Sequence, residues 1–180
     1  LREKRVRVLH SLSFVDDPTR MLRAVRFEQR LNFSIDARTE ELLSQALSML
    51  GRISGDRIRH ELDHILDEEQ RMVMLARLHA LGLLTAIHPA LRWDAEIEKR
   101  FEAIGRHPLP YYQELPSDLA GELSQRRLAY MVWMIGSAEP LVQDALNRLK
   151  YPAAQARQIL AACRLWEGLH ELLKLTPSGV

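Results

Sequence analysis

Four arginines follow one another at helical spacing near the start of the chain: Arg20, Arg23, Arg26 and Arg30. On a helical wheel they share a sector about 120° wide, opposite the apolar residues of the same segment. The only acids that we expect within reach of this face are Asp16 and Asp17, at the start of the helix. Guanidinium groups bind phosphate and other anions, so Arg23, Arg26 and Arg30 are candidates for binding a phosphate group or an RNA backbone. Taken alone, such a face is more often a solvated or acid-paired surface.

A second motif, His60-Glu61-Leu62-Asp63-His64, matches the HExxH pattern of zinc proteases. A working zinc site needs a third protein ligand, and the continuation found in the metzincins would need Gly and His where this chain has Asp67 and Gln70. The apolar residues of the segment predict that both histidines flank a buried stripe. We therefore interpret the motif as a coincidence and predict no metal site.

The residues around these motifs predict helices throughout. Asp17 followed by Pro18 favours a helix start, with the helix over 17–31. Asp36 and Ser54 are expected to cap the next two helices, and Gly51 and Gly82 are typical of helix ends. The other predicted helices begin near Glu69 or cover about 94–104, 118–135, 140–149 and 153–173. No alternation typical of strands is present, so we expect an all-α fold of roughly seven to nine helices and no sheet.

Composition limits the class of protein. The chain has 180 residues, of which 47% are hydrophobic and 27% charged, and its net charge is +1. These values are typical of a folded protein and exclude a strongly basic nucleic-acid binder, so any nucleic-acid site must be local. The single cysteine, Cys163, indicates a reducing compartment and a core position, and no apolar run is long enough to span a bilayer. We expect a cytoplasmic protein with no membrane contact.

The chain divides at a proline-rich stretch. Pro108, Pro110 and Pro116 predict a long loop, which suggests a helical unit over 1–105 and a second over 106–180. The ends of the chain are basic and the middle is acidic. The chain begins with Leu1 rather than Met, so we expect it to be a fragment of a longer protein.

Three stretches carry a resemblance to a known family. They are Leu12–Phe27 (LSFVDDPTRMLRAVRF), Ile53–Leu62 (ISGDRIRHEL) and Leu81–Leu91 (LGLLTAIHPAL). Together they resemble the class II, bacterial-type tRNA nucleotidyltransferases and poly(A) polymerases, in which an acidic-Asp-x-x-Arg motif opens a helix that continues as LRAxRF. The resemblance covers residues 9–91, with Asp16 where the family usually has Glu and Glu28 where it usually has Ala.

The resemblance implies a function for the matched positions. Asp17 and Arg20 would read the base of the incoming nucleotide, and Asp16 would orient them. These residues would belong to a helical neck (1–105), which is followed by a helical, RNA-supporting body (106–180). The substrates would be ATP and possibly CTP, and the partner a tRNA or another RNA 3′ end. CCA addition, A addition and poly(A) synthesis all remain open.

The same resemblance implies a missing part. The catalytic head of the family, with its Gly-rich segment and paired carboxylates for Mg²⁺, matches no segment of this chain and would precede Leu1. We therefore expect no catalytic residue here and no activity from this chain alone. The alternative is a stand-alone helical adaptor whose arginine face binds acidic partner surfaces.

Base recognition by protein has a chemical basis. Cytosine and adenine present an amino donor beside a ring-nitrogen acceptor, whereas uracil and guanine present a carbonyl beside an N–H. A carboxylate next to a guanidinium complements the first pair and opposes the second. Asp17 and Arg20, three positions apart, are expected on one side of the helix start. An ordinary helix cap with an Asp17–Arg20 ion pair is the competing interpretation.

Overall fold

The computed structural model describes residues 3–106 and 125–175, to which the structural statements below refer. The helices are α1 (Ser13–Asp16), α2 (Thr19–Arg30), α3 (Ala37–Ala46), α4 (Gly55–Leu66), α5 (Arg71–Ala80), α6 (Leu83–Ile87), α7 (Ala95–Arg106), α8 (Gln125–Met134), α9 (Glu139–Arg148) and α10 (Ala153–Leu175), with a 3₁₀ helix over Leu47–Arg52. The strands are β1 (Arg5–Val6) and β2 (Ser34–Ile35).

The all-α prediction is confirmed, with one correction to the expected absence of a sheet. β1 and β2 pair in parallel, with Arg5 opposite Ser34 and Val6 opposite Ile35. Each strand has only two residues, so neither produces an alternating pattern in the sequence. The pair holds the chain start against the segment that follows α2.

The helix boundaries agree with the sequence signals to within a few residues. Asp36 caps α3 as predicted, because its side chain accepts a hydrogen bond from the Arg38 amide at 3.2 Å. Ser54 lies at the cap position of α4, but its side chain makes no capping hydrogen bond. Gly82 ends α5 with a left-handed φ of 74°, a conformation that suits glycine.

Three features differ from the predicted elements. The short helices α1 and α6 were not expected, and the predicted second helix tightens into the 3₁₀ helix after Ala46. The predicted proline loop and the first part of the predicted 118–135 helix lie outside the described residues. The division of the chain at 105 therefore stays a prediction.

The buried apolar side chains of the two described segments form one core cluster. Leu22 and Leu62, in the first segment, are both fully buried, as is Tyr130 in the second. Cys163 is fully buried in this core, as predicted, and burial raises the pKa of its thiol to about 11.

A buried carboxylate fixes the position of α2. Glu28 Oε1 accepts from the Ile35 amide at 2.9 Å, and its Oε2 accepts from Arg77 Nε at 3.0 Å. Arg77 also donates to Glu40 at 2.7 Å, so this network joins α2 to β2, α3 and α5. The glutamate that departs from the usual family alanine is thus a structural residue in this chain.

The start of α4 is held by the end of α9. Arg148 donates to the carbonyl oxygens of Leu50 at 2.8 Å and Ile53 at 3.1 Å. In return, Arg59 of α4 donates to the carbonyl oxygens of Leu149 and Lys150, just after α9. These contacts fix α4 against α9, and α4 in turn packs against α2.

Among the described residues, no helix combines the length and apolar character needed to cross a bilayer.

Candidate functional site

The turn before α2 presents Asp17 as the capping residue of that helix. Pro18 already has helical torsion angles (φ −63°, ψ −18°), whereas Asp17 is extended (φ −145°, ψ 94°). Asp17 Oδ1 accepts from the Thr19 amide at 3.1 Å and from the Thr19 hydroxyl at 2.7 Å. The predicted helix start is confirmed, and the cap fixes the orientation of the carboxylate.

A second helix holds the same carboxylate. Arg57, near the start of α4, donates from Nη2 to Asp17 Oδ1 at 2.9 Å. Partial burial acts to raise the pKa of Asp17, but the Thr19 hydrogen bonds and the charges of Arg57 and Arg20 outweigh it, so the pKa lies below its ordinary value. Asp17 is therefore ionised at neutral pH. The described residues direct all their hydrogen bonds to Oδ1, which leaves Oδ2 available to a ligand.

Arg20 does not form the ion pair with Asp17 that its spacing allows. Its Nη1 donates to the Ser13 hydroxyl at 3.0 Å and more weakly to the Ser13 carbonyl oxygen at 3.4 Å. The ion-pair partner of Asp17 is thus Arg57 rather than Arg20. The rest of the guanidinium group is exposed and retains donors that Ser13 does not use.

A cleft of about 390 Å³ opens between the start of α2 and one face of α4. It is lined by Asp17, Thr19, Arg23, Asp56, Arg57, Arg59, His60, Glu61 and Asp63. Of the residues that the sequence selected, Asp17 and Arg23 line this cleft. Apart from Asp63, the lining residues therefore come from two segments that are both part of the motif resemblance, 12–27 and 53–62.

The arginine face of α2 divides into different environments. Arg23 is exposed, and no hydrogen bond or ion pair joins it to a described residue. The other two guanidinium groups meet acids that the sequence did not place near them. Arg26 lies 3.7 Å from Glu61 of α4, with both side chains largely buried, and Arg30 lies 3.6 Å from Glu68. The expectation that only Asp16 and Asp17 are within reach is therefore wrong, because α4 and the turn after it supply further carboxylates.

Asp16 lies outside the cleft. Its carboxylate is half-exposed and approaches His10 Nε2 at 3.8 Å. It lines a neighbouring hollow of about 300 Å³, together with Ser54 and Arg57. Arg57 thus borders both the hollow with Asp16 and the cleft with Asp17.

The sequence did not single out Arg57 and Arg59 as site residues. Both lie in the second motif stretch, which is the signal that could have identified them. Arg59 lines the cleft while it caps the end of α9, and its guanidinium group lies 5.9 Å from the centre of the Tyr151 ring. The cleft wall is therefore braced by the second described segment.

Asp63, at the far end of the cleft, joins α4 to α8. It accepts from the Tyr130 hydroxyl at 3.1 Å and lies 3.5 Å from Arg126. Burial raises the pKa of Asp63 and outweighs the opposing effects of Arg126 and Tyr130. The arrangement links the cleft to the helices of the second segment.

The two histidines of the HExxH motif share one helix face, with their Nε2 atoms 3.1 Å apart. His60 lines the cleft, a position that the sequence interpretation as ordinary flanking surface did not include. Among the described residues, no three His, Cys, Asp or Glu side chains are grouped so as to hold a metal ion. Two imidazole groups without a third protein ligand do not make a zinc site, and we derive no metal-dependent step from the described residues.

Comparison with known proteins gives the family. Residues 32–94 match the family model described as the probable RNA and SrmB-binding site of polymerase A. The chain is 50% identical over 93 residues to the A-adding tRNA nucleotidyltransferase of Geobacter sulfurreducens, covering 51% of this chain and 11% of that protein.

Two solved structures extend the similarity over almost the whole chain. A CCA-adding enzyme in complex with ATP aligns with a TM-score of 0.76 and 31% identity, covering 98% of this chain and 42% of that one. The Thermotoga maritima CCA-adding enzyme complexed with tRNA aligns with a TM-score of 0.74 and 31% identity, covering 96% of this chain and 42% of that one.

The all-α fold and the motif stretches are thus similar to those of A-adding and CCA-adding enzymes. The resemblance of the motifs to the tRNA nucleotidyltransferase and poly(A) polymerase family is thereby confirmed. The chain spans less than half the length of each of these relatives.

Proposed function

We propose that this chain is the nucleotide-selecting and RNA-binding part of a template-independent nucleotidyltransferase that acts on the 3′ end of tRNA. The names of its relatives support a tRNA partner, and the similarity to an ATP complex supports ATP as a substrate. CTP is a second substrate if the whole protein adds CCA rather than A alone.

The observation that carries the proposal is the double constraint on Asp17. Thr19 and Arg57 fix Oδ1, and the carboxylate stays ionised, so Oδ2 is a preorganised acceptor at the edge of the cleft. Such an acceptor suits the exocyclic amino group of adenine or cytosine and repels the carbonyl group of uracil or guanine.

Arg20 would complete the recognition of the base. Its free N–H groups can donate to the ring nitrogen that lies beside the amino group in adenine and cytosine. The contact with Ser13 holds one end of the guanidinium group, which reduces the freedom that is lost on binding. Asp16, which shares the adjoining hollow with Arg57, would orient the turn that carries Asp17.

Among the three remaining arginines, Arg23 is the best candidate for phosphate or RNA-backbone binding. It lines the cleft, and it forms no ion pair with a described residue that would have to break when it binds a phosphate. Arg30 is itself exposed and lies 3.6 Å from Glu68, a long contact from which the guanidinium group can turn to a phosphate. Arg26 is paired inside the protein, so its contribution would be to support the cleft wall.

Mg²⁺ chemistry would be supplied by a catalytic head outside this chain, where carboxylates hold the metal against the triphosphate. The residues of this chain would choose the base and hold the RNA. The internal pairing of Arg26 counts against a stand-alone adaptor, because Glu61 of the chain itself occupies that part of the arginine face.

The binding part of the proposal can be tested on this chain. The affinity for tRNA that lacks its terminal residues is measured by fluorescence anisotropy at several salt concentrations. We expect Arg23→Gln to weaken binding and to reduce the slope of log K against log salt by about 0.7–0.9, as for one lost phosphate contact. Arg38→Gln, which alters an exposed arginine paired with Glu41 outside the cleft, is the control and should leave the slope unchanged. Equal slopes for wild type and Arg23→Gln would contradict an RNA role for this residue.

A further inference from the structure

A second groove lies away from the Asp17 cleft, between the start of α7 and the later turns of α10. It has a volume of about 440 Å³ and is lined by Arg92, Asp94, Glu96, Lys99, Arg100, Ala103, Trp166 and His170. None of these residues lies in the three motif stretches, although Arg92 directly follows the last of them. The base-reading function does not use this groove.

Two aromatic rings form one wall of the groove. Trp166 and His170 lie one helical turn apart on α10, with ring centroids 4.8 Å apart and an interplanar angle of 35°. Trp166 is partly exposed and His170 exposed, whereas Trp93 and Trp133 are buried in the core. An accessible pair of rings at this spacing offers a surface on which a nucleobase can stack.

Cations form the opposite wall. Arg100 is fixed, because it donates to the Val132 carbonyl oxygen at 3.2 Å and caps the end of α8. Arg92 and Lys99 are exposed and pair with Asp94 at 3.7 Å and Glu96 at 2.8 Å, and Arg92 also donates weakly to the Gly136 carbonyl oxygen at 3.4 Å. Exposed pairs of this kind exchange easily, so both cations can turn to a phosphate group.

The groove and the Asp17 cleft are joined by α8. Tyr130 of this helix donates to Asp63, which lines the cleft, and Gly136, two residues after the end of the helix, lies beside Arg100 and Trp166. The same helix therefore supports both places.

We propose that this groove binds one unpaired nucleotide of the RNA, with the base stacked on Trp166 and His170 and a phosphate held by Arg92 and Lys99. The combination of stacking rings with exchangeable cations fits single-stranded nucleic acid better than an apolar protein surface, because cations border the rings. The inference rests on the proposed function, since it assigns a second contact to the same RNA.

The experiment measures binding of a short single-stranded RNA ending in CCA to this chain, by anisotropy and by tryptophan fluorescence. Because Trp166 is the accessible tryptophan among the three of the chain, we expect stacking to quench the emission and Trp166→Phe to remove most of the quenching while binding persists. Trp166→Ala should weaken binding by about five- to a hundredfold. Lys99→Gln should reduce the salt slope by about 0.7, as for one phosphate contact of a single strand.

Controls separate the possible outcomes. Leu165→Ala changes an exposed residue of the same helix outside the groove and should leave affinity and quenching unchanged. If Trp166→Ala does not fold, as judged by circular dichroism, His170→Ala and Lys99→Gln carry the test, since both residues are exposed. If these variants bind RNA and quench normally while Arg23→Gln still weakens binding, the groove does not bind RNA but the proposed function stands. If the wild-type chain does not bind the RNA at all, the proposed function itself is contradicted.

Discussion

At the scale of single residues, the central finding is that one carboxylate performs two tasks. Asp17 caps α2 through Thr19 and pairs with Arg57, and the same atom, Oδ1, accepts all of these hydrogen bonds. Because Oδ1 accepts the hydrogen bonds that stabilise the fold, Oδ2 can accept a hydrogen bond from a ligand. A substitution at Asp17 should therefore change both stability and selectivity, and the two effects can be separated by pH.

The stability effect of Asp17 has a definite pH dependence. Since the pKa of Asp17 is lower in the folded protein than in the unfolded chain, its stabilisation is present above the unfolded pKa of about 3.9. It is lost as pH falls through the folded value. We expect Asp17→Ala to lower the free energy of unfolding by about 1 kcal/mol at pH 7, as for other lost caps. Urea unfolding at a series of pH values should show the difference shrinking below about pH 4; a difference that grows on acidification would contradict this assignment.

The sequence predicted this residue but not its partner. Helical spacing and the Asp-Pro signal identify Asp17, Arg20 and the helix start, since these depend on neighbours along the chain. Arg57 is 40 positions away, and only the packing of α4 on α2 brings it to the carboxylate. Glu61 and Glu68 were missed as partners of Arg26 and Arg30 for the same reason.

At the scale of elements, the cleft depends on how closely α4 approaches α9. Gly55 is the first residue of α4, and a Cβ atom there would overlap the carbonyl oxygen of Arg148 and lie 2.8 Å from its carbonyl carbon. These are backbone atoms and cannot turn aside. Glycine is thus required because of the close approach between the two helices, and this requirement indirectly positions Arg57 and Arg59.

Gly55→Ala should therefore destabilise the protein by about 1–3 kcal/mol, as in other overpacked sites. Gly168→Ala, in α10, is the matched control, because a Cβ atom there would have no neighbour within 4 Å. The control should be neutral or stabilising by up to about 1 kcal/mol, since alanine is the better helix former. Thermal unfolding of the two variants checks the prediction, and equal melting temperatures would show that the approach of α4 to α9 can relax.

Elements with strong local signals could be predicted, and elements formed by tertiary contacts could not. Asp36 and Gly82 mark their helix boundaries by their own chemistry. The β1–β2 pair exists because Lys4 and Val6 accept hydrogen bonds from the chain after α2, at 2.9 and 3.1 Å, which no local pattern reveals.

At the scale of the whole molecule, we propose that this chain selects the nucleotide and holds the RNA while another part of the protein binds the catalytic metal. Among the described residues, no three His, Cys, Asp or Glu side chains are grouped so as to hold a metal ion. The fold class and the family could both be predicted from the sequence. The second groove could not, because it joins residues of α7 and α10 that are far apart in the chain.

This division of labour predicts that the chain alone is inactive. With Mg²⁺, nucleoside triphosphates and tRNA that lacks its terminal residues, we expect no incorporation above a control without protein. The reason is that phosphoryl transfer needs carboxylates that hold the metal against the triphosphate. Transfer of radiolabelled nucleotide by the purified chain would contradict the proposed separation of selection from catalysis.

The most direct test of the central claim is nucleotide selectivity in the full-length protein that contains this chain. Incorporation of ATP and CTP is compared with that of UTP and GTP for the wild type, Asp17→Ala and Arg20→Ala, with Arg38→Ala as a control outside the cleft. A good bidentate base contact gives roughly 1–3 kcal/mol of discrimination, so Asp17→Ala and Arg20→Ala should each lose about one to two decades of selectivity. The account is contradicted if Asp17→Ala and Arg20→Ala keep the wild-type preference and lose only thermal stability.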